Sequence, residues 1–332
     1  MTKSKKVDLL GIGNAITDIL ITVDYKYLEK MNLNIGAMQL VEFDTINKII
    51  KSFKSKKVSA GGSVANTVSL VSNLGKNCAF IGKRKNDNQG KMFSESMSIS
   101  KILMPNKEAT LGKPSSICLV MITPNGERTM LTYLGASLSL DENDIDLELL
   151  KNTKIVYLEG YLFDLPEAKN LFFKLADIQE DLGFEFALSL SDPFCVKRHK
   201  KDFLKLLDKN IKILFSNQEE IETLFDSSFN QALLKSGDKT SITISTLGEK
   251  GSSLCYEGKL IESEAYKVFL KDTTGAGDSF AAGFLYGYIN NYSLKKCSEI
   301  GNFCAAETVK IIGARPEVNV KDLLLKNEIL KN

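Results

Sequence analysis

The chain has 332 residues, and 43% of them are hydrophobic, which is enough for one large α/β domain with a substantial core. Lys and Arg number 43 against 41 Asp and Glu, without a basic stripe. Nucleic acid and anionic membrane surfaces are therefore not expected as partners. No apolar run approaches 20 residues, so we expect neither a membrane span nor a signal peptide. We therefore expect a cytoplasmic protein.

Histidine and cysteine usage narrows the possible chemistry. The six cysteines lie mostly in apolar runs without a C-x-x-C pair, which favours small core residues in a reducing compartment. The single histidine, His199, lies in the charged run K-R-H-K-K, where we expect an exposed position. One histidine argues against a Ser-His-Asp triad and a multi-histidine metal site. Proton transfer would then depend on carboxylate, Lys, Tyr or Cys.

The first element is a buried strand at 7–13 that runs into a glycine turn, followed by Asn14 and Asp18. Ligands of open α/β sheets bind at the carboxyl ends of strands, so both side chains are candidates for holding substrate hydroxyls. Taken alone, Asn14 is more typical of a turn residue and Asp18 of a surface cap. A dinucleotide-dependent dehydrogenase is disfavoured, because Ile16 occupies the third position of the G-x-G-x-x-G fingerprint.

Strand-like runs at 19–23 and 38–41 do not follow a βα rhythm, and an Asn-Gly turn joins further strands at 117–123 and 128–134. We expect these runs to form a small lid from about 15–43 and 110–134, on a single domain spanning 1–332. Arg128 begins the last of these strands and either reaches a substrate or stays on the surface. Asp44 predicts the N-cap of a helix that ends near residue 53.

The stretch 60–75, A-G-G-S-V-A-N-T-V-S-L-V-S-N-L-G, predicts a glycine loop followed by a helix. Ser63 is the expected N-cap, and Asn66 in the first turn can point back over Gly61 and Gly62. A loop without side chains lets a flat, polar ligand approach the backbone. The same pattern is also a good helix start without a ligand.

The second half of the chain alternates strands with helices, which predicts a parallel sheet covered on both faces. The strands are expected at 154–158, 185–190, 211–215 and 241–246, and the helices at 166–181, 197–208 and 217–225. Tyr161 and Phe163 follow the first of these strands and either stack on a base or pack in the core. Asn217 and Glu220 share one face of a helix start, as ligand residues or as a capping box.

The most informative stretch is K-D-T-T-G-A-G-D-S-F-A-A-G-F-L-Y-G-Y at 271–288. Gly275 and Gly277 flank Ala276 in a turn that feeds a helix. The unpaired N–H groups and the dipole of a helix start suit a phosphate. Asp278 is placed there to accept a proton from a hydroxyl that attacks a bound phosphoryl group. The short motif G-A-G-D alone is equally typical of a turn and a cap.

These stretches, in this order, resemble the ribokinase (PfkB-type) family of small-molecule kinases. The matching motifs are G-N-A-I-T-D, G-G-S followed by Asn66, N-x-x-E, T-L-G-E-K-G and D-T-T-G-A-G-D-S-F. The resemblance covers 13–313 and implies an α/β, ribokinase-like three-layer sandwich, with a mostly parallel central sheet and a small discontinuous β-sheet lid. The stretch 84–90 keeps Asp87 and Gly90 but lacks the family's preceding glycine, and we expect a loop variation with little functional meaning.

The resemblance implies ATP-dependent phosphorylation of an alcohol with Mg²⁺. Asp278 would be the base, and the amides of Gly275, Ala276 and Gly277 the anion hole. The candidate substrate contacts are Asn14, Asp18, Gly61, Gly62, Ser63, Asn66, Arg128 and Tyr161, the last two on position alone. The candidate ATP contacts are Asn217, Thr246, Gly248, Gly251 and Asn302. Asn217 and Glu220 would act on magnesium, Glu220 through water.

The substrate is expected to be a small molecule. The G-N-A-x-x-D and G-G-S forms, with L-S-L-S-D-P-F at 188–194, resemble adenosine kinases and favour adenosine, phosphorylated to AMP in purine salvage. A free sugar such as ribose or fructose is the alternative. A non-catalytic sugar or nucleotide sensor is a further alternative, which the intact Asp278 disfavours. A monovalent cation such as K⁺ near Asp272, and a monomer or a homodimer, both stay open.

Overall fold

The computed structural model describes residues 6–36, 38–54 and 56–330. The strands in these ranges are β1 (Val7–Ile12), β2 (Ile16–Thr22), β3 (Met38–Leu40), β4 (Lys57–Ala60), β5 (Cys78–Ile81), β6 (Ser116–Ile122), β7 (Arg128–Tyr133), β8 (Thr153–Glu159), β9 (Glu185–Ser189), β10 (Ile213–Asn217), β11 (Ile242–Thr246), β12 (Ser252–Tyr256) and β13 (Lys259–Ser263).

The helices in the same ranges are α1 (Tyr25–Lys30), α2 (Phe43–Ser52), α3 (Ser63–Asn73), α4 (Asn88–Ile99), α5 (Leu147–Lys151), α6 (Pro166–Leu182), α7 (Pro193–Leu207), α8 (Gln218–Phe225), α9 (Phe229–Gly237), α10 (Ala276–Ile289), α11 (Leu294–Thr308) and α12 (Val320–Lys326). A turn of 3₁₀-helix, Gly160–Asp164, follows β8.

The larger of two compact units contains residues up to 13, 63–81 and 141 onward. Its sheet has the order β13-β12-β11-β10-β9-β8-β1-β5, and every neighbouring pair from β11 to β5 is parallel. Strands such as β1 read as continuous apolar runs because Leu9, Leu10 and Ile12 are fully buried, which is typical of a sheet covered on both faces. The antiparallel hairpin β12–β13 completes one edge.

Helix α10 runs through the larger unit against α11, and glycines set the distance between the two helices. A Cβ atom on Gly283 would lie 2.7 Å from the carbonyl oxygen of Ile300, and one on Gly301 would lie 2.9 Å from the ring of Phe280. The two backbones therefore approach more closely than any larger residue would allow. This contact holds α10, and with it the turn at residues 275–277.

The smaller unit contains residues 14–62 and 82–140. Its sheet has the order β3-β7-β6-β2-β4, and β6 and β7 form the antiparallel hairpin that the Asn-Gly turn predicts. Ile19, Ile21 and Leu119 pack with Ile46 of α2 in its core. An α/β fold with a mostly parallel central sheet and a second small sheet is thereby confirmed. The lid at 15–43 and 110–134 and the single domain over 1–332 stay predictions, and residue 37 and the chain ends lie outside the described residues.

Two helix starts differ from expectation. Helix α2 begins at Phe43 with Glu42 at its N-cap, so Asp44 lies inside the first turn, where a carboxylate suits the helix dipole. Helix α7 begins at Pro193 rather than near residue 197. The side chain of Asp192 accepts a hydrogen bond from the N–H of Cys195 (2.8 Å), and proline is favourable at the first helical position. Helices α1, α4, α5, α9 and α12 were not predicted.

His199 is not the exposed residue that its charged neighbours suggest. Its side chain is 16% exposed, and Nε2 lies 2.6 Å from Oδ1 of Asp164. Arg198 binds the same carboxylate through Nε and a terminal nitrogen. The basic run therefore ties α7, which is kinked at His199, to the turn Gly160–Asp164.

The variant loop at 84–90 has a structural role within the smaller unit. Asp87 is the N-cap of α4, accepting from the N–H of Gly90, and its other oxygen accepts from the N–H of Ser115, both at 2.9 Å. A Cβ atom on Gly90 would lie 1.9 Å from the carbonyl oxygen of Lys85. Both retained residues are therefore required by the local packing.

All six cysteines are free and buried, as their apolar surroundings predict. Among the helices of the described ranges, none is long and apolar enough to cross a bilayer.

The β12–β13 hairpin offers a matched test of glycine packing. Gly251 and Gly258 both have positive φ, but a Cβ atom on Gly251 would lie 2.0 Å from the oxygen of Ser263, whereas one on Gly258 meets nothing within 4 Å. Gly258→Ala should cost about 1–2 kcal/mol of backbone strain. Gly251→Ala should cost a further ~1–3 kcal/mol of overpacking. Urea unfolding of both variants measures the difference, and equal losses would contradict the packing argument.

Candidate active site

The start of α10 is an open turn built around two different glycines. Gly275 is the N-cap with φ of 72°, and a Cβ atom there would lie 2.7 Å from Cα of Ala314, so only glycine fits. Gly277 is exposed, and a Cβ atom on it would meet nothing within 4 Å. The N–H of Ala276 donates to the carbonyl of Thr273 (3.2 Å). Of the three amides predicted for the anion hole, that of Ala276 is therefore used within the turn itself.

Asp278, in the first turn of α10, is bound by side chains from the start of α3. Ser63 Oγ donates to Oδ1 at 2.7 Å, and Asn66 Nδ2 donates to Oδ2 at 2.9 Å. Thr67 Oγ1 also donates to the backbone carbonyl of Asp278, at 3.1 Å. Ser63 was expected to cap its own helix, but it is the first helical residue and its hydroxyl serves Asp278 instead. The structure thus brings Asp278 together with two predicted site residues that lie more than 200 positions earlier in the chain.

Burial raises the pKa of the Asp278 carboxyl to about 6, although the hydrogen bonds from Ser63 and Asn66 and the charge of Arg315 lower it. At pH 7 most of the carboxyl is ionised, yet it binds a proton far more readily than an exposed aspartate. A general base is most effective when its pKa lies near the working pH. The environment of Asp278 therefore suits the role that the motif predicts.

Glu159, at the end of β8, was not predicted as a site residue. It is 1% exposed, and its Oε2 accepts a hydrogen bond from the N–H of Val64 at 2.9 Å. A Cβ atom on Gly13 would lie 2.9 Å from the same oxygen. Glu159 thus satisfies the N-terminus of α3 and leaves Ser63 available to Asp278. A charged residue ending the apolar run of β8 is the signal that could have identified it.

Arg315 was also missed. Its Nε donates to Oδ1 of Asn66 at 2.8 Å, and its loop is held by Asp272, whose carboxylate accepts from the N–H of Gly313 (2.7 Å) and of Thr274 (2.9 Å). Only four of the 43 basic residues of this chain are arginines. The rarity of arginine in this lysine-rich chain is the signal that could have identified Arg315. A monovalent cation near Asp272 stays a prediction.

Tyr161 lies half-buried in the turn after β8. Burial raises the pKa of its phenol well above the usual range, and the charges of Asp192, Glu220, Asp278 and Glu159 raise it further. The phenol therefore feels the negative charge of four acidic residues of the larger unit, and its hydroxyl donates to the carbonyl of Ser191 at 3.4 Å. This location keeps Tyr161 a candidate for substrate contact.

Phe163, two residues on, packs in the core. It is 1% exposed and stacks on Phe203, with ring centroids 4.2 Å apart. The core-packing alternative is therefore correct for Phe163.

Asn217 and Glu220 form the capping box of α8. Asn217 donates to Glu220 from its backbone N–H (2.9 Å) and from Nδ2 (2.7 Å), and Oδ1 accepts from the N–H of Glu220 (2.8 Å). Burial raises the pKa of Glu220 to about 7, and the charges of Asp192 and Glu219 add to this. Surplus negative charge of this kind fits a hydrated Mg²⁺ nearby. Within the described ranges, no three His, Cys, Asp or Glu side chains are arranged to bind a metal directly.

The predicted nucleotide loop follows β11. Thr246 ends the strand half-buried, Gly248 is exposed with φ of 60°, and Gly251 closes the turn at the base of β12. Asn302 of α11 is 6% exposed, and its Nδ2 donates to Ser252 Oγ and to the carbonyls of 263 and 264 at 3.1–3.2 Å. The side-chain nitrogen of Asn302 therefore holds the β12–β13 hairpin beside this loop.

The remaining predicted substrate residues lie in the smaller unit. A Cβ atom on Gly61 would lie 2.2 Å from Oδ2 of Asp18, so the carboxylate packs directly against the backbone of that glycine. Asn14 is 3% exposed, and Gly62 has φ of 91°. Arg128 is half-buried and lies four residues along β7 from the register position of Asp18, or roughly 13 Å. The structure brings Asp18 and Gly61 together, and Arg128 lies further along the sheet.

Comparisons with known proteins identify the family of the chain. The sequence pattern of the pfkB family of carbohydrate kinases matches residues 30–320. An adenosine kinase structure from Sinorhizobium meliloti is 34% identical with a TM-score of 0.91, covering 97% of this chain and 99% of that one. A probable sugar kinase structure from Rhizobium etli is 31% identical with a TM-score of 0.92, covering 98% and 100%. An uncharacterised sugar kinase of Archaeoglobus fulgidus is 27% identical over 74% of this chain and 96% of its own.

The raised pKa of Asp278 predicts how its replacement changes stability with pH. The unfolded chain ionises this group near pH 4, whereas the folded protein does so near 6. Its contribution to stability is therefore fully present below about pH 4 and lost as the pH rises through 6. Asp278→Asn removes that loss, and its amide can accept from Asn66 and donate to Ser63. The variant should match the wild type at pH 4 and gain up to about 2–3 kcal/mol above pH 7.

Urea unfolding between pH 4 and 8 measures this difference. Asp202→Asn is the control, because the hydrogen bond from Lys169 lowers the pKa of Asp202. That variant should be less stable than the wild type by a nearly constant amount above about pH 5, because the ionised form that Lys169 stabilises is already fully present there. A pH-independent difference for Asp278→Asn would contradict the raised pKa.

Proposed function

The chain belongs to the pfkB family of carbohydrate kinases, which use ATP to phosphorylate alcohol groups, and we propose that this member phosphorylates the 5′-hydroxyl of a nucleoside, adenosine first. The observation that carries the proposal is the Asp278 carboxylate at the start of α10, with a pKa of about 6 and a hydrogen-bond donor on each oxygen. It has the protonation state and position of a general base beside an anion-binding helix start.

In the proposed reaction, the acceptor hydroxyl gives its proton to Asp278 while its oxygen bonds to the γ-phosphorus of ATP, and ADP leaves with the bridging oxygen. Proton transfer of this kind typically contributes ~10²–10⁴ in rate. The N–H groups of Gly275 and Gly277 and the dipole of α10 stabilise the charge on the transferring group. Ser63 and Asn66 keep the carboxylate oriented.

Asn217 and Glu220 would hold Mg²⁺ through water, since both Glu220 oxygens already accept from Asn217. The ion would supply positive charge against the phosphates. Thr246, Gly248 and Gly251 would contact the nucleotide through their exposed turn. Asn302 would act by holding the adjoining hairpin, because its amide nitrogen is bound within the protein.

Two observations support a nucleoside acceptor. The carboxylate of Asp18, resting on Gly61, is suited to accept hydrogen bonds from two neighbouring ribose hydroxyls. The similarity to the Sinorhizobium meliloti adenosine kinase extends over nearly the whole chain. A free sugar is the second candidate, supported by the similarity to the Rhizobium etli and Archaeoglobus fulgidus sugar kinases. The intact base argues against a non-catalytic sensor.

The test is ADP release from ATP and magnesium with adenosine, inosine, guanosine, ribose, fructose or 2-keto-3-deoxygluconate. We expect adenosine to give the highest kcat/KM. A preference for a free sugar would refute the nucleoside and retain the mechanism. Asp278→Asn is the control and should lose ~10²–10⁴ in kcat while binding ATP normally. Near-normal turnover in that variant would refute the assignment of the base.

Gly277→Ala separates catalysis from folding. The added methyl group meets no protein atom within 4 Å and replaces a helical glycine, so stability should stay equal or rise by about 0.5–1 kcal/mol. The same methyl group would crowd the anion site, and loss of one such amide typically costs ~10²–10³ in kcat. Steady-state kinetics beside thermal unfolding measure both effects. Unchanged kcat would place the phosphoryl group elsewhere.

A further inference from the structure

We propose that Arg315 is a positioning residue that acts through Asn66 to keep Asp278 in its proton-accepting form. The inference rests on the proposed function, because Asp278 is the base only if the chain is a kinase. It differs from the predicted role of Asn66, which was a substrate contact.

The donor and acceptor roles along this chain of groups have only one consistent order. Arginine donates and cannot accept, so the atom of Asn66 that faces Nε of Arg315 at 2.8 Å must be the amide oxygen. The amide nitrogen of Asn66 then faces Oδ2 of Asp278 at 2.9 Å, where it can only donate. A carboxyl protonated on that oxygen would place its proton against the N–H₂ group. Arg315 therefore sets the orientation of the amide, which in turn favours the ionised carboxylate.

The charge of Arg315 acts in the same direction. Its guanidinium lowers the pKa of Asp278, which burial otherwise raises. Among the described residues of the larger unit, the other charged or titratable groups near Asp278 are not cations. They are Tyr157 and Glu159 of β8, Tyr161 of the next turn, and Asp272 before α10.

The backbone around Arg315 is built to hold it in place. Asp272 accepts from the N–H of Gly313 at 2.7 Å, and Ala314 packs against the glycine-only position Gly275. The loop that carries the guanidinium is thereby attached to the turn at the start of α10. The turn that carries Asp278 and the loop that carries Arg315 are consequently held together by these contacts.

The first experiment does not require activity. Aspartate labelled with ¹³C at the side-chain carboxyl is titrated by NMR from pH 4 to 9, and the Asp278 signal is identified by its loss in Asp278→Asn. We expect an apparent pKa near 6 in the wild type and about one unit higher in Arg315→Gln, because a nearby opposite charge shifts a carboxyl by ~1–3 units. Arg315→Lys, which keeps the charge, should lie closer to the wild type.

Lys310→Gln is the matched control. It removes one positive charge from the same C-terminal segment, where Lys310 pairs only with Glu307 among the ion pairs described, and it should leave the Asp278 titration unchanged. An unchanged titration in Arg315→Gln would overturn the inference. An equal shift in both variants would show a general charge effect and would also overturn it.

The kinetic experiment follows kcat/KM against pH for the same variants. A pKa raised by one unit gives a deficit of about tenfold at pH 5 that disappears above about pH 8. A deficit of equal size at every pH would mean that Arg315 acts as a substrate contact or a structural residue, and would overturn the inference. In an Asn66→Ala background, Arg315→Gln should have a smaller effect than in the wild type.

The two proposals fail separately. If the wild type phosphorylates none of the acceptors in the panel, the proposed function fails, and the carboxyl titration still decides the role of Arg315. If turnover is normal but Arg315→Gln changes neither the carboxyl titration of Asp278 nor the pH dependence of kcat/KM, only this inference fails.

Discussion

The carboxylate of Asp278 is held by hydrogen-bond donors that a second helix supplies. Ser63 and Asn66 of α3 each bind one oxygen of the carboxylate. Glu159 accepts the hydrogen bond from the N-terminus of α3, so Ser63 does not need to cap its own helix. The packing of α10 on α11 through Gly283 and Gly301 holds the other side of this arrangement. The parallel sheet places both helix starts beyond the carboxyl ends of its strands, where ligands of such sheets bind.

Charge in this region is unevenly distributed. Burial raises the pKa of Asp278 and of Glu220, and both titrate near neutral pH instead of near 4. Arg315 is the cation that acts on Asp278, whereas the surplus negative charge around Glu220 is shared with Asp192 and Glu219. The pKa of the first carboxyl is thus lowered by Arg315, and that of the second by the hydrogen bond from the backbone of Asn217. The surroundings of each carboxyl therefore set its pKa.

Local patterns predicted the elements well where one physical signal dominated. Apolar runs and the Asn-Gly turn located the strands, and the glycine turns located the starts of α3 and α10. Errors occurred where neighbouring signals competed. Asp44 was preferred to Glu42 as a cap, and the basic run around His199 concealed a helix that Asp192 and Pro193 begin earlier. His199 itself is half-buried because Asp164, 35 positions away, binds it.

The order and spacing of the motifs determined the family and the α/β class and made Asp278 the candidate base, because these depend on short segments whose backbone conformation is local. Only the tertiary structure decided which groups surround Asp278. Glu159 accepts from the N–H of Val64, 95 positions away, and Arg315 donates to Asn66, 249 positions away. Hydrogen-bond complementarity over such separations leaves no periodic pattern in a single sequence. Which groups Ser63, Asn66 and Glu159 each bind likewise follows from helix packing, because packing sets distances that no segment specifies by itself.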